Sequence, residues 1–253
     1  MMRSGNPALN DATFQTGVAS PSESMTLEGT VNKCILCLVL LMVPAAYVWN
    51  QVLPSSGLMD ATTVSPPYGL MVGGAIVGFV LSLVTIFKKT WAPYTVPLYS
   101  VAEGLFLGGI SAVFELQFPG IVIQAVGLTM LVFLALLLAY RSGMIKATEN
   151  FKLGITAATG GICLLYLVGF ILGFFGVQIP YIHDSGPIGI GFSLVVVTIA
   201  ALNLVMDFDF IESGAASNAP KYMEWYAVFG LLVTLIWLYL ELLRLLAKIQ
   251  SRD

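Results

Sequence analysis

Residues Tyr222–Leu246 read YMEWYAVFGLLVTLIWLYLELLRLL, an apolar run that only three charged side chains interrupt. A helix needs about 20 mainly apolar residues to cross the hydrocarbon core of a bilayer, so this run is long enough to span it. Trp and Tyr lie towards both ends, and aromatic rings favour the two membrane–water interfaces. The stretch therefore predicts a transmembrane helix.

Runs of similar length and character occur along the rest of the chain, separated by short segments that hold Pro, Gly, Ser and charged residues. The residues before the first run are polar and rich in Ser, Thr, Asn and Gly. We therefore expect an all-α membrane protein with a polar N-terminal tail over residues 1–32 and a seven-helix transmembrane domain over residues 33–253. The predicted spans are Lys33–Leu53, Tyr68–Phe87, Thr95–Phe114, Ile121–Tyr140, Leu153–Phe175, Pro187–Met206 and Tyr222–Leu246.

The composition of the 253 residues agrees with lipid as the solvent. Hydrophobic residues make up 58% of the chain and charged residues only 10%, whereas soluble domains carry about 25% charged residues. The net charge is −3 and no run of five like charges occurs, which disfavours a nucleic-acid partner. The composition therefore predicts the lipid bilayer as a partner of this chain.

The Lys and Arg residues of the predicted loops indicate an orientation. With a cytoplasmic N-terminus, the predicted inside segments carry eight of the 11 basic residues and the three outside loops carry none, as the positive-inside rule requires. Arg244, Lys248 and Arg252 depart from this pattern, because they lie outside if all seven segments cross. Seven crossings are the interpretation we prefer. In the alternative, the last helix is re-entrant or another segment fails to span, and the C-terminus stays inside.

Glycines recur at helical spacing in the second, third and fifth predicted spans, at 69, 73, 74 and 78, at 104 and 108, and at 169 and 173. Small residues every fourth position let helix backbones approach closely, which replaces the hydrophobic drive that lipid does not supply. We expect most of these glycines to be packing contacts in a compact bundle.

Acidic residues inside the predicted spans are the candidate functional residues, because a carboxylate at the bilayer centre costs about 2.5–3.5 kcal/mol. If the sixth helix continues through residues 203–212, Asn203 and Asp207 share one face at i,i+4, and Asp209 and Glu212 share another at i,i+3. We expect Asp207 to face the bundle interior. The alternative is that Asp207, Asp209 and Glu212 all lie at the cytoplasmic interface.

Three more acids are candidates. Glu103 lies about two turns into the third span and is expected to face protein or water; alternatively, it reaches Lys88 or Lys89 near the helix entrance. Glu115 lies at the far end of that span and is expected at a mouth or interface. Glu241 precedes Arg244 by three residues, a spacing that allows an i,i+3 ion pair at an interface.

The sequence contains none of the common catalytic motifs. GxSxG, the P-loop and H-E-x-x-H are absent, and the chain has one histidine, so we expect neither enzyme activity nor a cofactor. An intramembrane aspartyl protease is the remaining enzymatic alternative, but the flanking glycines of such enzymes are not seen. The three cysteines lie in apolar runs and are expected to be reduced thiols.

Two stretches in the last two predicted spans, AALNLVMDFDFIE at 200–212 and WLYLELLRLL at 237–246, resemble the Bax inhibitor-1 family of membrane proteins. MTLEGTVNK at 25–33 and EGLFLGGIS at 103–111 add to the resemblance. The likeness covers almost the whole chain and is to the bacterial branch of the family. It implies a bundle with the last helix at its centre and a pH-sensitive calcium leak channel in the bacterial inner membrane. It also implies an alternative, a non-conducting regulator that binds a membrane protease or another membrane protein.

In the family's pattern, an aspartate that ends the sixth helix shares a proton with an aspartate in the seventh and so closes the pore. Asp207 matches the first aspartate. Aligning on the closing Leu-Arg-Leu-Leu puts Thr234 at the second position, whereas aligning on Leu-Tyr-Leu puts Glu241 there. We prefer Thr234, because that alignment needs no gap before the helix end. Asp209, Glu103 or Glu241 would then have to replace the missing acid.

The chemistry of these residues suits a pH gate for calcium. Calcium takes 6–8 oxygen ligands, so Asp207 and Asp209, with Asn203, hydroxyls and water, are expected to form a transient site. Two carboxylates buried side by side cannot both be ionised at low cost, so such a pair titrates as a unit. We therefore expect protonation near Asp207 to change how the last helices pack.

Overall fold

The computed structural model describes residues 24–52, 68–176 and 186–252, which form a bundle of long helices with no β-strand among them. Each of the seven helices is long and apolar enough to cross a membrane. A single 3-10 turn, Lys89–Trp91, leads into the third helix. The helices are α1 Leu27–Val52, α2 Tyr68–Phe87, α3 Ala92–Gln117, α4 Ile121–Arg141, α5 Glu149–Phe174, α6 Pro187–Ala216 and α7 Tyr222–Gln250.

The helices confirm the predicted spans and differ from them mainly at two ends. The first helix begins at Leu27, six residues before the predicted Lys33, so the described end of the expected tail is helical. Helix α6 continues ten residues past Met206 to Ala216, so the acidic stretch lies on a helix. Phe208 explains this extension, because its ring is 6% exposed and packs edge-on against Phe133 of α4. Residues 1–23 of the expected polar tail lie outside the described residues.

The last helix lies at the centre of the bundle, as the family resemblance implies. Helix α7 contacts α1, α3, α4 and α6, and it contributes Leu232, Leu238 and Leu243 to the fully buried part of the core. Helices α2 and α5 lie at the periphery, where α2 packs mainly on α3 and α5 mainly on α6. The two outer helices therefore leave most of their apolar surface to lipid.

Glycines bring α1 and α3 into close contact. A Cβ atom on Gly104 would overlap the carbonyl oxygen of Leu41, and one on Gly108 would lie 2.5 Å from the carbonyl oxygen of Ala45. Only a residue without a side chain permits this approach. The packing expectation is therefore confirmed for these two glycines.

The same expectation holds for half of the glycines in α2. A Cβ atom on Gly74 would lie 2.6 Å from the carbonyl oxygen of Ala102 in α3. By contrast, Gly69, Gly73 and Gly173 would meet no atom within 4 Å. Helical spacing was therefore a wrong indicator of packing at these three positions, because they lie on faces that no other helix covers.

Most basic residues lie at one end of the bundle, which we call the basic end. Contacts at this end link segments that are distant along the chain. The Met25 backbone N–H donates to the carbonyl oxygen of Ala219 at 2.6 Å, and Lys152 pairs with Asp209 at 2.9 Å. The described basic residues of this end are Lys33, Lys88, Lys89, Arg141, Lys146, Lys152 and Lys221. Charge is thus segregated along the bundle axis.

Candidate functional site

Asp207 lies on the side of α6 that faces α7. Its Oδ2 atom is shielded from the exterior and has no hydrogen-bond partner among the described residues. The Thr234 side chain of α7 faces the carboxylate, and a Cβ atom on Gly230 would lie 3.7 Å from Oδ1. Because α7 presents a glycine here, its backbone comes close to the acid. The expectation that Asp207 faces the bundle interior matches this placement.

A cavity of about 530 Å³ lies beside Asp207. Helices α2, α3, α6 and α7 all contribute to its wall, and a second acid, Glu103 of α3, lines the same space. Three residues with hydroxyl groups, Ser82, Tyr99 and Thr234, line it too, so polar residues interrupt a mostly apolar wall. The complete lining is Ala75, Phe79, Ser82, Ile86, Tyr99, Glu103, Phe106, Asp207, Phe229, Gly230, Val233 and Thr234. We call this space the carboxylate cavity.

Glu103 enters the carboxylate cavity because α2 leaves room for it. A Cβ atom on Gly78 would lie 2.7 Å from Glu103 Oε1, so a side chain at that position would displace the carboxylate. Tyr99, one turn earlier on α3, interacts with Glu103. The alternative partners do not reach it: Lys88 lies 4.6 Å from the Trp91 ring centroid, and Lys89 lies over the ring of Tyr226.

Asp207 and Asp209 are not brought together. Asp209 lies on another side of α6, where it pairs with Lys152 of α5 at 2.9 Å. Glu212 lies near it and accepts a hydrogen bond from the Tyr140 hydroxyl of α4. Residues two apart in a helix point in nearly opposite directions, so Asp207 and Asp209 face different sides of α6. Among the described residues, no three His, Cys, Asp or Glu side chains are grouped as a metal site would require.

Asn203 is engaged away from the carboxylate cavity. Its Nδ2 donates to Thr159 Oγ1 of α5 and to the carbonyl oxygen of Ile199, each at 2.8 Å. This side chain therefore joins α5 to α6. It does not line the cavity that Asp207 faces.

Glu115 lies where α3 turns into α4. Its carboxylate accepts the backbone N–H groups of Gly120 at 2.6 Å and Val122 at 3.2 Å. A carboxylate at a helix N-terminus satisfies free donors and complements the helix dipole. Glu115 thus caps α4 at the end of the bundle opposite the basic end.

Glu241 is a buried acid with its own partners. It is 1% exposed, and its Oε1 accepts hydrogen bonds from Arg244 Nη1 at 2.7 Å and from the Tyr166 hydroxyl at 3.0 Å. The i,i+3 ion pair with Arg244 is present as the spacing allowed. Glu241 Oε2 has no partner among the described residues. Because Glu241 lies two turns beyond Thr234 on α7, Thr234 and not Glu241 stands opposite Asp207.

Sequence reasoning missed Glu224, the fully buried acid at the start of α7. Lys33 of α1 forms a salt bridge with it, and Lys221 lies 3.2 Å from its Oε1. The backbone N–H and the hydroxyl of Thr26 donate to the same oxygen at 2.9 and 3.0 Å. A Cβ on Gly29 would overlap this carboxylate. The i,i+3 spacing of Lys221 and Glu224 was the available signal, but the contacts with α1 are tertiary.

Sequence reasoning also left Lys248 without a structural role. This residue of α7 is 7% exposed at the end opposite the basic end. Its Nζ donates to the carbonyl oxygen of Gly189 at 3.1 Å and to Ser193 Oγ at 2.9 Å, both on α6. The ammonium group therefore fastens the end of α7 to the start of α6.

The fold and the carboxylate cavity define a class of protein: a multi-pass all-α membrane protein that keeps acids among its helices. The sequence model of the family described as Bax inhibitor 1 like matches residues 6–251, nearly the whole chain. The chain therefore belongs to this family, as the resemblance in four stretches predicted. No curated protein and no solved structure matches the chain.

Proposed function

We propose that the protein is a pH-sensitive leak channel for calcium or a similar cation in the bacterial inner membrane, and that protonation of intramembrane carboxylates gates it. The observation that carries the proposal is the unpaired Oδ2 of Asp207 beside the cavity that Glu103 also lines. An acid kept inside a membrane bundle at a cost of a few kcal/mol is a functional candidate by default.

The oxygen atoms of the carboxylate cavity suit a permeant hard cation. Calcium prefers carboxylate, hydroxyl and water oxygens, and Asp207, Glu103, Ser82 and Thr234 offer the first two kinds. Two acids with few other ligands make a weak site, and conduction requires binding weak enough to release the ion. This pair replaces Asp207 and Asp209 as the proposed calcium ligands.

Protonation supplies the gate. A proton on Asp207 or Glu103 removes a negative charge from the cavity and gives the carboxyl group a hydrogen to donate, so the packing of α6 against α7 responds to pH. In the alignment that we prefer, Thr234 stands where the family pattern has a second aspartate. The pH response is therefore proposed to depend on Asp207 and Glu103, which line the same cavity from α6 and α3.

The test is calcium flux into vesicles that contain the purified protein. The flux is measured at pH values from about 5 to about 8, a range in which protein carboxyl groups can change protonation. We expect flux above that of empty vesicles and a change with pH. Asp207→Asn should abolish the pH dependence. Asp209→Asn, on the same helix but paired with Lys152, is the matched control and should retain it, as should Glu241→Gln. Equal effects of the three substitutions would contradict the proposed gate.

The second candidate is a non-conducting regulator that binds a membrane protease or another membrane protein. In that case an apolar partner helix would replace lipid on the outer face of α5, where Leu164, Phe170 and Phe174 are exposed. Absence of flux above empty vesicles at every pH would exclude the channel and leave this candidate. In both cases we propose that the protein is neither an enzyme nor a cofactor-binding protein.

A further inference from the structure

A second cavity, of about 950 Å³, lies at the basic end between α1, α4, α6 and α7. Its deep wall is apolar and includes Leu38 of α1, Phe133 and Leu137 of α4, and Leu231 and Leu235 of α7. Its volume is in the range of about 300–1,000 Å³ that ligand pockets occupy. We call this space the basic-end cavity; it shares no lining residue with the carboxylate cavity.

Two cations with no ion-pair partner line the mouth of the basic-end cavity. Arg141 ends α4 and Lys146 lies in the α4–α5 loop; both are exposed, and neither forms an ion pair with a described residue. The other basic residues of this end are engaged. Lys33, Lys152 and Lys221 pair with acids, while Lys88 and Lys89 lie over aromatic rings.

Two acids line the same cavity, but neither forms an ion pair with these two cations. Asp209 lines the cavity and pairs with Lys152 at 2.9 Å, and Lys152 also lies 3.4 Å from the carboxylate of Glu149. Glu212 accepts a hydrogen bond from the Tyr140 hydroxyl and is the one lining carboxylate without a cationic partner. The mouth therefore holds two cations that form no ion pair with a described residue, Arg141 and Lys146, beside an apolar interior.

We propose that the basic-end cavity binds one anionic phospholipid from the leaflet at this end. The acyl chains pack against the apolar wall, and Arg141 and Lys146 bind the headgroup phosphate. Basic pockets between transmembrane helices suit acidic lipid headgroups, and a guanidinium binds phosphate in bidentate fashion. An apolar partner helix would fill the interior but leave both cations unmatched. The assignment is independent of ion conduction.

Native mass spectrometry of the full chain in detergent tests this assignment, with phosphatidylglycerol and phosphatidylcholine of identical acyl chains as probes. We expect the wild type to prefer phosphatidylglycerol for its first bound lipid by about tenfold, since each basic residue near a headgroup favours an acidic lipid several-fold. The double variant Arg141→Gln, Lys146→Gln should lose this preference. Lys88→Gln, Lys89→Gln removes the same charge from the same end and should keep it.

Other outcomes would overturn the assignment. Equal retention of the two lipids by the wild type would mean that the bound lipid is annular. An equal loss of preference in both double variants would mean that the preference comes from general charge attraction. Leu137→Trp puts a larger side chain into the basic-end cavity, so it should weaken retention of both lipids. If soluble glycerol 3-phosphate displaced the lipid at equal concentration, the acyl chains would contribute nothing and the site would be a phosphate site alone.

Discussion

Asp207 owes its unpaired oxygen to the residue opposite it. Thr234 presents one hydroxyl group with one hydrogen, and because this group donates to the carbonyl oxygen of Gly230 at 3.2 Å, the carboxylate is left incompletely satisfied. An aspartate at that position would allow one proton to bridge two acids. The difference is a single side chain, and in the proposed gate it leaves Glu103, and not an acid of α7, as the second carboxylate.

Thr234→Asp should therefore install a second acid in the α6–α7 contact. We expect the calcium flux of vesicles with this variant to depend more steeply on pH than that of the wild type, because two close carboxylates titrate as a unit. Thr234→Val keeps the volume but has no ionisable group, and it should retain the wild-type pH profile. Identical profiles for the aspartate and valine variants would argue against a proton shared between α6 and α7.

The Glu224 cluster has a stability consequence. Lys33→Met leaves the fully buried Glu224 with only Lys221 and Thr26 as partners. Loss of a hydrogen bond to a buried charged group costs about 1–3 kcal/mol, so the unfolding midpoint in detergent should fall. Lys146→Met removes an unpaired lysine from the same end and should leave the midpoint unchanged. Equal midpoints for both variants would show that the Lys33 pair adds no stability.

At the scale of elements, α1 and α3 meet through glycine and backbone rather than through interlocking side chains. Dispersion contacts between closely approaching backbones hold helices together in lipid, where no hydrophobic drive acts between them. The α1–α3 contact also orients the face of α3 that carries Glu103. Close packing of these two helices thus supports one wall of the carboxylate cavity.

Gly104→Leu should break this contact, since even a Cβ atom would overlap the carbonyl oxygen of Leu41. Overpacking of a tight contact costs about 1–3 kcal/mol or more, and we expect a lower unfolding midpoint together with reduced flux. Gly154→Leu is the matched control on α5, where a Cβ atom would meet nothing within 4 Å. If Gly154→Leu lowered the unfolding midpoint as much as Gly104→Leu, the loss of stability would come from replacing a helical glycine and not from the α1–α3 contact.

At the scale of the whole molecule, the basic end and the seven helices constrain the topology. Seven crossings put the two ends of the described chain on opposite sides, and Arg244 and Lys248 then lie towards the side that carries few basic residues. Each has an internal partner: Arg244 pairs with Glu241, and Lys248 donates to α6. Partnered cations oppose the positive-inside rule less than free ones do.

A thiol-accessibility experiment checks this topology. In a chain whose three cysteines are replaced, Lys146→Cys should be shielded from a membrane-impermeant maleimide in intact cells, because we propose that the basic end faces the cytoplasm. Ser251→Cys should react with it. Labelling of neither site in intact cells, with labelling of both after permeabilisation, would place both ends inside and contradict seven crossings.

Much of this arrangement follows from sequence patterns, and the misses have physical causes. The predicted span Tyr68–Phe87 coincides with α2 because composition changes sharply at both of its ends. The end of α6 was predicted ten residues too early. Acids are costly in lipid, so the span was ended before Asp207, but the buried Phe208 shows that the helix continues to pack against the bundle. Glu224 escaped notice because Lys33 is distant along the chain.

The sequence by itself determined the seven apolar helices, the segregation of basic residues and the family, because hydropathy, loop charge and local motifs are written along the chain. Only the tertiary structure decided that Glu103 shares a cavity with Asp207, that Asp209 pairs instead with Lys152, and that the Tyr166 hydroxyl of α5 donates to Glu241. These are contacts between helices. Periodicity states which residues share one helix face, but the rotation and neighbours of each helix come from the packing of the whole bundle.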